Sequence, residues 1–133
     1  MKQTDNFKFD EANVMNELVY RNLSEDEKRQ ICAWKYGGEY DLYNLPSYEE
    51  MQVRQIGFMN PQRGKNYYGF WDESILVGFV NILEEKEEIF IGIGVNPDLC
   101  NKHYGQRMLS ITYEIYILTS RCIWKFVHGI SER

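Results

Sequence analysis

The stretch from Glu88 to Ser120 constrains this chain more than any other. An apolar run with two glycines near its end (Ile89, Phe90, Ile91, Gly92, Ile93, Gly94, Val95) meets the turn Asn96-Pro97-Asp98. A short polar loop reaching Gly105 then opens a helical pattern with apolar residues at Met108, Ile111, Ile115 and Leu118, widened by Leu109, Tyr113 and Tyr116. The spacing predicts a strand, a loop and a helix, with the loop at the helix N-terminus. Unpaired N–H groups and the positive dipole end favour an anion there. The stretch therefore reads as a phosphate-binding turn.

The remaining chain supplies a frame for that unit. Residues 1–13 read as a polar extension, and Val14 to Arg21 admits either a first strand or a helix. Ser24-Glu25-Asp26-Glu27 is a capping box, and Ile31 and Trp34 carry a short helix that the Gly37-Gly38 pair should end. A second box, Ser47-Tyr48-Glu49-Glu50, should start a helix through Met51, Val53, Arg54 and Ile56, with Pro61 as its stop. Between the helices lie Tyr36, Tyr40, Tyr43 and Tyr48. Their rings suit either a lid over the core or the wall of an acceptor pocket.

Strands follow at Tyr67 to Trp71 and Ile75 to Leu83, with turns at Asp72-Glu73-Ser74 and Glu84 to Glu88. Together with the opening strand they form an antiparallel meander. The 133 residues suit a single domain. A formal net charge of -5, with no Lys/Arg run among aromatics, disfavours nucleic acid. No apolar stretch nears the roughly 20 residues of a membrane span, and the N-terminus lacks the apolar core of a signal peptide. The expectation is a cytoplasmic protein with no membrane partner. Cys32, Cys100 and Cys122 are far apart and the chain has two histidines, so reduced thiols and no metal site are expected.

Leu76 to Glu85, Ile89 to Leu109 and the tyrosine-rich Trp34 to Ser47 resemble the GNAT superfamily of N-acetyltransferases, over about Ile31 to Leu118. The resemblance implies an α+β (α/β) GNAT-like acyl-CoA N-acyltransferase fold, a mixed, mostly antiparallel sheet flanked by helices. It implies acetyl-CoA as co-substrate and an amine as acceptor, with backbone of Ile93, Gly94 and Val95 holding the pantetheine and thioester. The pyrophosphate would lie on Cys100, Asn101, Lys102, His103, Tyr104, Gly105 and Gln106. In the family this loop follows (Gln/Arg)-x-x-Gly-x-(Gly/Ala), so Cys100 takes the Gln/Arg position and His103 that of the first glycine. Close relatives also carry glycine where Asn101 stands. Asn tolerates positive φ, but a histidine ring can occupy the pyrophosphate's space.

Acetyl transfer needs a deprotonated amine and a polarised thioester carbonyl. The carbonyl donor is sought near Gly94 and Val95, and the base at Glu88, its neighbour Glu87, or Glu39. Each of these glutamates would otherwise be a solvated surface charge. Tyr36, Glu39, Tyr40 and Asn81 are the acceptor-contact candidates.

The resemblance stops at Glu114, leaving 116–133 as a tail unlike the family. Written in ordinary codons chosen among synonyms and read two bases on, Tyr116 to Arg133 gives YPDKPLYLEVRTWNIRA, which resembles the family's fifth strand and the turn beyond. The expectation is a frame change near Ile115 to Tyr116. The domain would then lack the C-terminal helix and last strands, and with them the helix whose tyrosine protonates the CoA thiolate in many relatives. Strand formers at Cys122 to Val127 could still pair with the sheet. Were they not to pair, the bare strand edge would favour a homodimer or larger homo-oligomer. The expected function is an impaired acetyl-CoA-dependent N-acetyltransferase, the alternative a non-catalytic CoA-binding or oligomeric module.

Overall fold

The structure, a computed structural model, describes residues 17–116 and 123–127. The extension over 1–13, the start of the expected first strand at Val14, Leu118 of the helical stripe, and Cys122 lie outside them. The described strands are β1 (Val19–Asn22), β2 (Tyr67–Asp72), β3 (Ile75–Glu85), β4 (Glu88–Val95) and β5 (Ile123–Val127). The α-helices are α1 (Glu25–Cys32), α2 (Tyr48–Arg54) and α3 (Tyr104–Tyr116). The strands lie side by side in the order β1-β2-β3-β4-β5. The first four pair antiparallel, whereas β5 runs parallel to β4. A parallel neighbour requires a crossover, and α3 lies between β4 and β5 in the chain.

The meander follows from alternation around a two-residue turn at Lys86-Glu87, which sets Glu85 opposite Glu88. One face then collects Val80, Ile82, Ile89, Ile91 and Ile93, which form a core with Phe70 and with Met108 of α3. The opposite face carries Leu76 and Phe79, packed with Ile31, Cys32, Trp34, Tyr36, Met51 and Phe58 beneath α1 and α2. Full burial of side chains such as Phe70, Ile89 and Met108 contributes about 1.5–3 kcal/mol each.

Both helix starts use the expected serines. Ser24 accepts from Glu27 N–H while the Glu27 carboxylate accepts from Ser24 N–H, a complete capping box. Glu27 is buried and also binds Arg21 at 2.6 Å. Ser47 accepts from Glu50 N–H at 3.1 Å.

The helix ends differ from expectation. Helix α1 stops at Cys32 with Ala33 as cap, before the Gly37-Gly38 pair; Gly38, at φ +60, instead opens a 3-10 turn over Gly38–Tyr43. Helix α2 stops at Arg54, where Gln55 turns left-handed at φ 56 and its N–H bonds Met51 C=O. A local backbone cap ends the helix before Pro61 is reached.

Neither Cys32 nor Cys100 is in a disulfide. Among the described residues no helix is long and apolar enough to cross a membrane, and no group of three or more His, Cys, Asp or Glu is placed to hold a metal.

Candidate functional site

The end of β4 is held from two sides. Asn96 N–H donates to Val77 C=O at 2.8 Å, and the Asn96 side chain donates to Leu76 C=O at 3.1 Å. The Gly78–Val95 pair is thereby a non-hydrogen-bonded pair of the ladder. Alternation aims the N–H and C=O of Gly94 at β3 and those of Val95 at the other edge. Strand β5 covers that other edge only as far as Gly92. There the Val95 carbonyl accepts from the Tyr36 hydroxyl at 2.5 Å. Its N–H faces a side on which no strand lies among the described residues. Of the two expected carbonyl donors, Val95, itself buried, is the one turned away from β3.

Steric reasons separate the three glycines around this strand. A Cβ at Gly94 would lie 2.4 Å from the Phe79 ring, and one at Gly78 would lie 2.4 Å from the Gly94 carbonyl oxygen and 2.7 Å from the Met108 sulfur. Both are glycine because the chain itself fills the space. At Gly92 the nearest atom is Asn81 Cβ at 3.9 Å, so its face is open. Gly92, Asn81, Leu83, Phe90 and Glu85 line a depression of about 290 Å³ on the face away from α3.

The loop after β4 passes twice through left-handed backbone. Asn96 accepts from Asp98 N–H at 3.0 Å and starts the 3-10 turn Pro97–Leu99. Asn101 and His103 then adopt φ 68 and 66, the left-handed region that favours glycine. Arg107 N–H makes the first helical bond to His103 C=O at 3.2 Å, so the N–H groups of 104–106 precede the helix ladder. The loop keeps a glycine-type backbone at both positions where the resembling family has glycine. Asn101, Lys102, His103 and Gln106 are exposed, while Gly105 is buried. Tyr104 donates its hydroxyl to Asp72 at 2.6 Å, tying the helix start to the end of β2, and this bond raises the phenol above its usual range. Cys100 packs beside the tyrosine-bearing core, with its Sγ 3.8 Å from Asn96 O.

The tyrosine-rich segment folds against this end of β4. Tyr36 is buried, its N–H bonds Asn44 Oδ1 at 2.6 Å, and burial, with Cys100 nearby, pushes its phenol far above the ordinary value. Tyr36 is thus a strut between the segment and β4. Tyr40 is half-buried against the same core, and Glu39 is exposed on the 3-10 turn. Asn81 sits directly opposite Gly92. Glu88 opens β4 and Val95 closes it, so about 23 Å of extended strand separate them. The structure brings together Tyr36, Val95, Cys100 and the helix start, with Glu39 in the segment that Tyr36 anchors. It does not bring Glu88 or Glu87 to them. Sequence reasoning missed Phe79 as the reason for Gly94, although a turn centred on Lys86-Glu87 sets the two opposite each other.

No family model matches the sequence, and no curated protein is significantly similar to it. Among solved structures, the chain is similar to an acetyltransferase of the GNAT family from Bacillus anthracis, with a TM-score of 0.58 and 18% identity. That match covers 77% of this chain and 65% of the other, so the chain spans slightly less than two thirds of its length. It is also similar to the PaiA N-acetyltransferase from Thermoplasma acidophilum, solved in complex with coenzyme A, with a TM-score of 0.50 and 15% identity over 74% of this chain and 71% of that one. The fold of this chain is GNAT-like.

Proposed function

We propose that the chain descends from the GNAT N-acetyltransferases and binds acetyl-CoA at the end of β4, with weak transfer of its acetyl group to an amine. The observation that carries this reading is the Val95 N–H, in a buried residue, turned to the edge of β4 beyond its pairing with β5, beside a left-handed loop at the start of α3. Bound acetyl-CoA would supply an activated acyl group. The N–H groups of 104–106, with Lys102 and Arg107 close in sequence, suit a pyrophosphate. The Val95 N–H would donate to the thioester oxygen and stabilise the charge that develops there. Tyr36 would hold the next peptide, Val95–Asn96, through its bond to Val95 C=O, and with it the end of the strand that carries the donor.

On the acceptor side, Glu39 is the better-placed base candidate because its segment is fastened to Val95 through Tyr36 three residues earlier. Tyr40 and Asn81 would contact the amine's body, and the depression over Gly92 would receive it. Glu88, at the far end of β4, would meet only a long acceptor. The homodimer expected for a bare β4 edge loses that premise over Glu88–Gly92, where β5 pairs. Self-association would instead use the outer edge of β5. A cytoplasmic setting fits an acetyl-CoA-dependent reaction.

Calorimetry and thermal shift with acetyl-CoA and with coenzyme A test the binding claim. Saturable heat and a raised Tm are expected, and neither at millimolar ligand would sink it. A thiol-release assay over a panel of amines then separates transfer from binding alone. Binding without turnover would leave a non-catalytic CoA-binding module.

A further inference from the structure

A second cavity lies on the other side of α1 and α2, at the end of the sheet where β1 finishes and β2 begins. It measures about 750 Å³ between α1, α2 and the turns over Gly57–Met59 and Gly64–Asn66. Leu23, Phe58 and Met59 give it an apolar floor. Its charged lining is Lys28, Arg29 and Lys65 against one carboxylate, Glu25, in a chain whose formal net charge is -5.

The single carboxylate is already engaged. Glu25 accepts from the Tyr48 hydroxyl at 2.5 Å and from Lys28 Nζ at 3.1 Å, and the Tyr48 bond, then Lys28, holds it below the usual carboxylate range. Arg29 pairs with Asp26 at 3.1 Å, but that aspartate's side chain is 96% exposed and stands outside the cavity, where solvent screens it. The Arg29 guanidinium also lies 4.6 Å over the Tyr48 ring, which holds it against the cavity wall.

The rim carries donors with no acceptor among the described residues. Lys65 Nζ, the Gln52 amide and Asn60 Nδ2 make no bond, whereas neighbouring polar groups that shape the cavity are satisfied. Asn22 Nδ2 donates to Lys65 C=O and Tyr67 C=O at 3.0 Å each, Gln55 Nε2 donates to Gln52 C=O at 3.0 Å, and Asn60 Oδ1 accepts from Gln62 N–H at 2.9 Å. The turn that presents Lys65 is thus locked to β1 while its ammonium stays open to a ligand.

From this arrangement we infer that the cavity binds a small organic anion, a carboxylate carrying an apolar chain or ring. The head group takes Lys65 and the Gln52 and Asn60 amides, with Lys28 and Arg29 supplying the field, and the apolar part lies on Phe58, Met59 and Leu23. A carboxylate of this kind uses both halves of the cavity, whereas inorganic phosphate uses only the rim. The site is independent of the β4 end and stands whether or not acetyl-CoA binds there.

Calorimetric titration of the full chain with hexanoate, inorganic phosphate and hexylamine tests it. Hexanoate should saturate at millimolar concentration, phosphate should bind at least about fivefold more weakly, and hexylamine should give no saturable signal. Lys65→Met and Lys28→Met should each weaken hexanoate by about fivefold or more, with Lys86→Met, on the β3–β4 turn, unchanged. Thermal unfolding verifies that each variant is folded, and Gln52→Leu, on an exposed helical position, should reproduce the loss in direction. No saturation by hexanoate at about 50 mM, equal affinity for hexylamine or phosphate, or unchanged hexanoate binding in the folded Lys65 and Lys28 variants would each overturn the assignment.

Discussion

The Tyr36 hydroxyl donates to the Val95 carbonyl at 2.5 Å, joining residues 59 apart at the end of the strand that the candidate site depends on. Tyr36→Phe leaves that buried carbonyl without its donor. It should cost about 1–3 kcal/mol in urea unfolding, and under the proposed function it should also weaken acetyl-CoA. A variant as stable as the parent would show the bond to be dispensable.

The same phenol predicts an alkaline limit. Burial raises the folded pKa of Tyr36 far above its unfolded value near 10, and that of Tyr67 in the same direction. Stability from a raised group is complete below the unfolded pKa and is lost as pH climbs through the folded one. Unfolding free energy should therefore fall as pH rises above about 10. Tyrosine absorbance at alkaline pH should show part of the phenols ionising only with unfolding.

The two left-handed residues of the loop should behave differently. His103→Gly removes a strained φ of 66 and should stabilise by about 0.5–1 kcal/mol, net of the entropy glycine adds to the unfolded chain. Asn101→Gly should lie near zero, since asparagine visits this region readily. Thermal unfolding of both variants reads the difference, and calorimetry should show His103→Gly binding coenzyme A more tightly.

Gly94 and Gly92 make a paired test of the strand. Gly94→Ala drives a methyl into the Phe79 ring and should cost about 1–3 kcal/mol. Gly92→Ala meets open space and should be neutral or slightly stabilising by strand propensity. Equal costs at the two positions would contradict the register.

The sequence displayed its strands, turn and helix start because local chemistry dictates them. Ser24 and Ser47 have one use before an acidic turn, and Ile89 to Val95 cannot be solvated on both faces. Where a helix stops was less legible. Gln55 ends α2 in a backbone conformation that its residue type does not advertise, and Gly37-Gly38 looks like a stop but serves the next turn. Tyr36 was visible as one of several tyrosines, but its partner is a main-chain oxygen, which carries no residue signature. Glu88 was legible as a carboxylate at a terminus of β4; only the length and direction of β4 show that about 23 Å of strand part it from Val95.

Strand β5 holds a further lesson. Its ladder with β4 is made of main-chain groups, so the sheet asks of a newcomer only that it be extended and of the correct polarity. A crossover helix of suitable length delivers that polarity whatever residues come next. An edge such as β4's is therefore a docking rail indifferent to spelling. Segments of quite different sequence can close the same sheet, whereas a side chain with a chemical role has no such substitute.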